Sequence, residues 1–214
     1  MSTTLRIWLF TMIVLVIPVI AYIGYSHWEG AYAELPIYGP VAEVDGEVIH
    51  HRIPEFEFVN QEGMKYALSD IEGKIAVVDF FFSYCPSICP KMTRNIQDVA
   101  ELYLNDPDLQ IVSFSVDPER DTPARLAEFA DLYHADSEQW NFLTGDKRKL
   151  YHLARKGFFL SATDGDGGPN DFIHSENVVL IDRQGQIRGY YNGTDKAAML
   201  DLIKDITKLK KEKV

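Results

Sequence analysis

Hydrophobic and polar positions divide the chain into an uncharged N-terminal run, a weakly patterned stretch, and a long region where strand-like and helix-like periods alternate. From Ile7 to Ser26 there is no Asp, Glu, Lys, Arg or His, and Ile, Val, Leu, Phe and Tyr dominate. A membrane crossing takes about 20 apolar residues, so this run is long enough for one. Residues 27–52 contain Gly30, Pro36, Gly39, Pro40 and Gly46 with weak periodicity, as expected of a tether. Regular structure is expected from Ile53 onward. Phe56 and Phe58 alternate with Glu55 and Glu57, and a turn at Asn60 to Gly63 precedes Met64 to Leu68, which predicts a short hairpin. The continuous apolar run Ile75 to Phe82 predicts a central strand buried on both faces.

The pattern then switches period repeatedly. Met92, Ile96, Val99 and Tyr103 lie at helical spacing in Pro90 to Leu104, and Asn105-Asp106-Pro107 ends the helix. Ile111 to Val116 predicts a strand. Thr122 before Pro123 is a helix start, with Leu126, Phe129 and Leu132 or Tyr133 on its apolar face. A strand at Trp140 to Leu143, a helix near Lys147 to Lys156 and an apolar stretch at Phe158 to Leu160 follow. Val178 to Ile181 and Ile187 to Tyr191 flank Asp182-Arg183-Gln184-Gly185 as a hairpin, and Met199, Leu202 or Ile203, Ile206 and Leu209 make the last helix amphipathic. Strands alternating with helices predict an α/β sheet covered on both faces. The expected organisation is a short cytoplasmic N-terminus at 1–6, an anchor at 7–26, a tether at 27–52 and one domain at 53–214.

Composition narrows the function. With 214 residues, 46% of them hydrophobic, the chain builds one packed domain and spares a segment for other use. The formal charge of −11 argues against nucleic acid, because the clustered cations needed for phosphate contact occur only at Lys208, Lys210, Lys211 and Lys213, read as a solvated helix end. A secretory signal peptide has an apolar core of about 7–15 residues, so the longer run here is read as an uncleaved anchor. Cleavage near Ala31-Tyr32-Ala33 is the alternative. Arg6 alone precedes the run, which puts the domain outside. The absence of an Arg-rich transit segment favours a bacterial inner membrane.

The two cysteines, Cys85 and Cys89, lie in Tyr84-Cys-Pro-Ser-Ile-Cys-Pro90, between a buried strand and the next helix. Open α/β sheets place their sites at the carboxyl ends of strands. Helix N-terminal amides stabilise a thiolate, so at least one cysteine should be acidic and nucleophilic. Pro90 fits the first helical turn, and Pro86 limits the loop. A purely structural disulfide is the plainer reading. Even a 15-residue loop yields only about 3 kcal/mol, and this loop is far shorter, so a functional pair is expected. Two thiolates on one turn form a soft chelate suited to Cu(I), with zinc as competitor. Of the six histidines, His27, His50 and His51 fall in the tether and His134 and His152 in helical segments, whereas His174 follows a Gly/Asp-rich stretch and opens a hairpin strand. The acidic pair Asp164 and Asp166 lacks the spacing of a calcium loop, and solvation explains it.

Three segments in order, Phe82-Ser-Tyr-Cys-Pro-Ser-Ile-Cys-Pro90, Ser115-Val-Asp-Pro-Glu-Arg-Asp-Thr-Pro123 and His174-Ser175 followed by Val179-Leu-Ile-Asp182, resemble the Sco/SenC proteins, copper chaperones of cytochrome c oxidase assembly. The resemblance covers about residues 53 to 207. It implies a thioredoxin-like fold with an N-terminal transmembrane helix, and it implies Cys85, Cys89 and His174 as copper ligands for Cu(I) or Cu(II). It further implies a partner, oxidase subunit II or another copper acceptor, the dinuclear copper centre of subunit II being supplied with metal or having its cysteines reduced. The domain is expected to be monomeric. Asp117, Arg120 and Asp121 match the family too. They are expected to cap the helix at Thr122 and hold the loop, or alternatively to orient the metal site. The competing class is an enzyme, a thiol–disulfide oxidoreductase or thiol peroxidase using Cys85 and Cys89 as a redox pair without stable metal. Three residues rather than two separate the cysteines, and His174 has no part in such an enzyme.

Overall fold

The structure, a computed structural model, describes residues 3–32, 34–160 and 175–212. The chain forms two compact units, Met1–Glu34 and Leu35–Val214. The first is helical: α1 (Thr3–Thr11), a π turn (Met12–Val16) and α2 (Ile17–Tyr32). Pro18 has no N–H to give to the turn before it, which is where the helical ladder widens. Within this unit Arg6–Tyr25 is long and apolar enough to cross a membrane, with mean hydropathy 2.5 over the span.

The second unit is built on a five-stranded mixed sheet. Its strands are β5 (Ile75–Phe81), β6 (Leu109–Ser115), β7 (Trp140–Leu143), β8 (Asn177–Ile181) and β9 (Ile187–Asn192), in the order β7-β6-β5-β8-β9. β5 runs parallel to β6 in the register Ile75↔Leu109 and antiparallel to β8 in the register Val77↔Leu180. Every residue of β5 and β6 is buried, because helices and a small sheet cover both faces.

Alternation along β5 divides its side chains between two cores. Ile75, Val77 and Phe81 pack with α3 (Ile88–Leu102), α4 (Pro123–Leu132) and α6 (Lys196–Lys211), through Met92, Ile96, Leu126, Leu202 and Ile206, all fully buried. Ala76, Val78 and Phe80 face the other way, against the hairpin of β3 (Glu57–Val59) and β4 (Lys65–Ala67) and against α5 (Lys147–His152) with its π-helical continuation Leu153–Gly157. Aromatic rings cluster around Phe114 in this second core, with Phe80 stacked on it at 5.0 Å and Phe56 edge-on to it at 5.3 Å. Sheet order, mixed direction and coverage together make the fold thioredoxin-like.

The tether expectation needs revision in its second half. Residues 35–52 are part of the folded unit: β1 (Val41–Val44) and β2 (Glu47–His50) form a hairpin, and the Tyr38 amide donates to Ile187 O at 2.8 Å. Nearly every hairpin side chain is exposed, so burial imposes no alternation on its sequence. Arg188, itself buried, fixes both ends of the unit. Its guanidinium donates to Leu35 O (2.8 Å), Asp182 Oδ2 (3.0 Å) and Glu212 Oε2 (2.9 Å).

Candidate functional site

β5 ends at Phe81, the chain turns through Ser83 and Tyr84, and α3 begins at Ile88. Cys85 and Cys89 therefore lie at the carboxyl end of the central strand, one before the helix and one in its first turn. Both are free thiols and both are buried. The N-cap residue Ser87 makes no side-chain capping bond; instead the Cys89 amide donates to Cys85 Sγ at 3.4 Å. A sulfur thus accepts from a first-turn amide where an oxygen usually does. The helix starts two residues earlier than Pro90, so Cys89 is helical and Pro90 still falls in the first turn, where its missing N–H costs nothing.

The two thiols have opposite tendencies. Burial raises the Cys85 pKa, but hydrogen bonds from the Cys89 thiol and from Ser87 and Cys89 outweigh it and hold Cys85 below an ordinary cysteine. For Cys89 burial again comes first, and the hydrogen bond to Cys85 and the nearby Asp79 carboxylate add to it, so this thiol is pushed up to about 12. Cys85 is thus the more readily ionised of the two, and Cys89 the one that keeps its proton.

Asp79 was not foreseen, because the run Ile75 to Phe82 reads as continuous apolar strand and the aspartate interrupts it without a turn signal. It is 1% exposed, accepts a hydrogen bond from Ser113 Oγ, and Ser113 Oγ in turn accepts from Trp140 Nε1 at 2.9 Å. Burial raises its pKa to about 7, against the lowering effect of Ser113. By strand alternation it projects into the same layer as Val77 and Phe81, the layer that contains both cysteines.

A second buried carboxylate organises the cysteine loop. Asp121 accepts from the Ser83 amide (3.1 Å), from Ser83 Oγ (2.5 Å) and from Ser115 Oγ (2.6 Å), and Arg125 Nε donates to Ser83 Oγ at 3.1 Å. Thr122 caps α4 itself, its Oγ1 accepting from the Arg125 amide at 3.3 Å, so the capping role expected of Asp117, Arg120 and Asp121 falls to Thr122, while Asp117 pairs with Arg120 in the loop. Asp121 in addition ties the ends of β5 and β6 together two residues before Cys85. Tyr84 stands exposed beside the pair, with the Arg125 and Arg120 guanidinium carbons 4.7 and 5.1 Å from its ring centre.

The structure brings Cys85 and Cys89 together. His174, the third expected ligand, lies outside the described residues, as do Asp164 and Asp166. His134 and His152 are exposed; His51 is tied to Gly157 O by its Nε2 at 2.8 Å. Among the described residues no group of three or more His, Cys, Asp or Glu side chains forms a metal cage. The cysteine pair fits a soft metal through its donor chemistry: two adjacent sulfurs, one already inclined to ionise. The same pair fits dithiol–disulfide exchange.

Fold and site define a thioredoxin-like protein with a dithiol at the entrance of the helix after its central strand. Comparison with known proteins places it more closely. The SCO1/SenC family model matches residues 47–211, and the chain belongs to that family. The SCO1 protein homolog of Bacillus subtilis is 32% identical over 160 residues, 74% of this chain and 82% of that protein. A Stutzerimonas stutzeri protein with an inferred copper-binding designation is 30% identical over 145 residues, 64% of this chain and 68% of its own length. The solved structure of BsSco superposes with a TM-score of 0.65 at 31% identity, covering 76% of this chain and 95% of that one. BsSco has a disulfide switch and is a member of the Sco family of cytochrome c oxidase assembly proteins.

Proposed function

We propose that the chain is a membrane-anchored, extracytoplasmic copper-binding protein of a bacterial inner membrane. It holds copper through Cys85, Cys89 and His174, and it delivers the metal to, or reduces the cysteines of, the dinuclear copper centre of oxidase subunit II. The observation that carries this reading is the Cys89 amide on Cys85 Sγ in a chain of the SCO1/SenC family. It sets two sulfurs on one turn, with hydrogen bonds holding the pKa of Cys85 below that of an ordinary cysteine. Thiolates are soft donors that prefer Cu(I), and a bite of two sulfurs plus one imidazole leaves room for a ligand from an acceptor to enter. Transfer of two electrons from the paired thiolates to an external dithiol–disulfide or other two-electron oxidant forms the Cys85–Cys89 disulfide and removes both sulfur ligands, so copper occupancy and redox state are coupled. The apolar span Arg6–Tyr25 supports the anchor.

Copper exchange against a competing chelator under reducing conditions tests the ligand set. Cys89→Ala and His174→Ala should each lose copper at least tenfold more readily than wild type, about 1.4 kcal/mol. Equal retention by either variant refutes its place in the site.

The oxidoreductase reading is favoured by the opposed acidities of the two thiols, which suit an attacking and a resolving cysteine. The thiolate-to-copper charge-transfer colour of the loaded protein separates the two: under the copper reading it disappears in His174→Ala, whereas a metal-independent exchange activity survives that substitution.

A further inference from the structure

The segment Lys147 to Lys156 carries five Lys or Arg residues and His152 without a single acid, in a chain of net charge −11. Four of these side chains, Arg148, Lys149, His152 and Lys156, are exposed and line one wall of an open groove of about 910 Å³. Their spacing puts them on one face, with positions 148, 152 and 156 four residues apart along α5 and its continuation. The floor is apolar, formed by Pro54, Phe56, Phe58 and Leu153. The far lip carries Glu55 and Glu57, the latter paired with Lys65 at 2.9 Å, so cations outnumber acids around the groove.

The wall is specially shaped. The helix widens into a π turn at Leu153–Gly157, a rare geometry that recurs at functional sites. A Cβ on Gly157 would sit 2.9 Å from Leu153 Cδ1 and 3.0 Å from Pro54 Cδ, so the absent side chain lets Pro54 and Leu153 of the floor pack against the π turn. None of this serves the cysteines. Phe56, Phe58 and Leu153 belong to the core on one side of the sheet, and Cys85 and Cys89 to the core on the other.

We propose that this groove binds the headgroup of an anionic membrane phospholipid, with the phosphate against Arg148, Lys149, His152 and Lys156 and the glycerol-acyl junction over Phe56 and Phe58. The proposal rests on the anchored reading given above, which keeps the domain beside a bilayer. An anchor supplies a high effective lipid concentration, so the groove has to orient the domain rather than hold it, and a few cations suffice. Engagement there leaves the cysteine side of the sheet open to a protein partner.

The test uses the full chain in lipid nanodiscs of phosphatidylcholine alone or with a minority of phosphatidylglycerol, read by amide exchange. Exchange across residues 147–157 should slow several-fold in the anionic discs, and high salt should abolish the effect. Arg148→Glu with Lys149→Glu should abolish it too while leaving exchange in β5 unchanged, which shows that the variant is folded. Equal protection in phosphatidylcholine discs, or the same protection from inorganic phosphate alone, overturns the proposal. Flotation reports on the anchor separately. If the chain enters no disc, short-chain phosphatidylglycerol added to the full chain decides the groove by the same exchange readout.

Discussion

Cys85 and Cys89 share a turn of chain but not an environment, and Asp79 is part of the reason. Its carboxyl acts electrostatically on Cys89 and has Ser113 as its hydrogen-bond donor, and among the described residues no cation pairs with it. Burial raises its pKa from the usual carboxylate range to about 7, so the folded protein holds a proton there that the unfolded chain has already released. Stability from this group is full in acid, declines from roughly pH 4 and is lost as the pH passes about 7. Asp79→Asn, close to isosteric and never charged, should therefore leave the urea midpoint near pH 4 almost unchanged and raise stability near pH 8, by on the order of 3 kcal/mol. A variant whose pH profile runs parallel to wild type would show that Asp79 is ionised without penalty. Asp121 contrasts with it, since three hydrogen bonds from Ser83 and Ser115 satisfy its carboxylate.

At the scale of elements, the close approach of β9 to α3 beneath the site depends on Gly193. A Cβ there would lie 2.5 Å from Met92 Cγ and 2.8 Å from Val178 Cγ2, both in the core next to Cys89. Gly193→Ala should cost about 1–3 kcal/mol through overpacking, measured as a lower denaturation midpoint. Little in the sequence singles out this glycine, whereas the elements it joins were plain. β7 falls at Trp140–Leu143 as expected, β5 ends one residue short of the expected run and α4 starts at Pro123 as expected, and in α6 Met199, Leu202, Ile206 and Leu209 are the buried face, because burial imposes its period on the residues that form it. The hairpin of β1 and β2 escaped notice for the converse reason: with both faces in solvent, Val41, Val44, Val48 and Ile49 follow no burial rhythm. The early start of α3 was hidden because a cysteine sulfur caps it, and the widening after His152 because a π turn has no pattern of its own in so short a segment. Of the site, the cysteine pair and the Thr122 cap were legible. Asp79 was masked by apolar neighbours, and the role of Asp121 depends on the fold bringing Ser83 and Ser115 to it.

For the whole molecule, Arg188 is the residue on which the ends of the folded unit converge. It bonds to Leu35 O, to Asp182 in the β8–β9 turn and to Glu212 just past α6, while nearly excluded from water. Replacing it by Met keeps much of the volume but strands the carboxylates of Asp182 and Glu212, a loss of about 3–5 kcal/mol. Amide exchange should rise at residues 35–38 and 208–212 and stay unchanged in β5 and α3; a rise spread evenly over the sheet would point to global destabilisation instead. This convergence has a geometric result. Ala76 at the start of β5 lies opposite Ile181, so the turn that Arg188 braces is at the pole of the sheet remote from the dithiol. A strand of seven residues spans roughly 20 Å at about 3.3 Å per residue. Chain entry is thus moored at one pole of the folded unit while the sulfurs work at the other, and the sheet between them acts as a rigid boom that keeps the two apart.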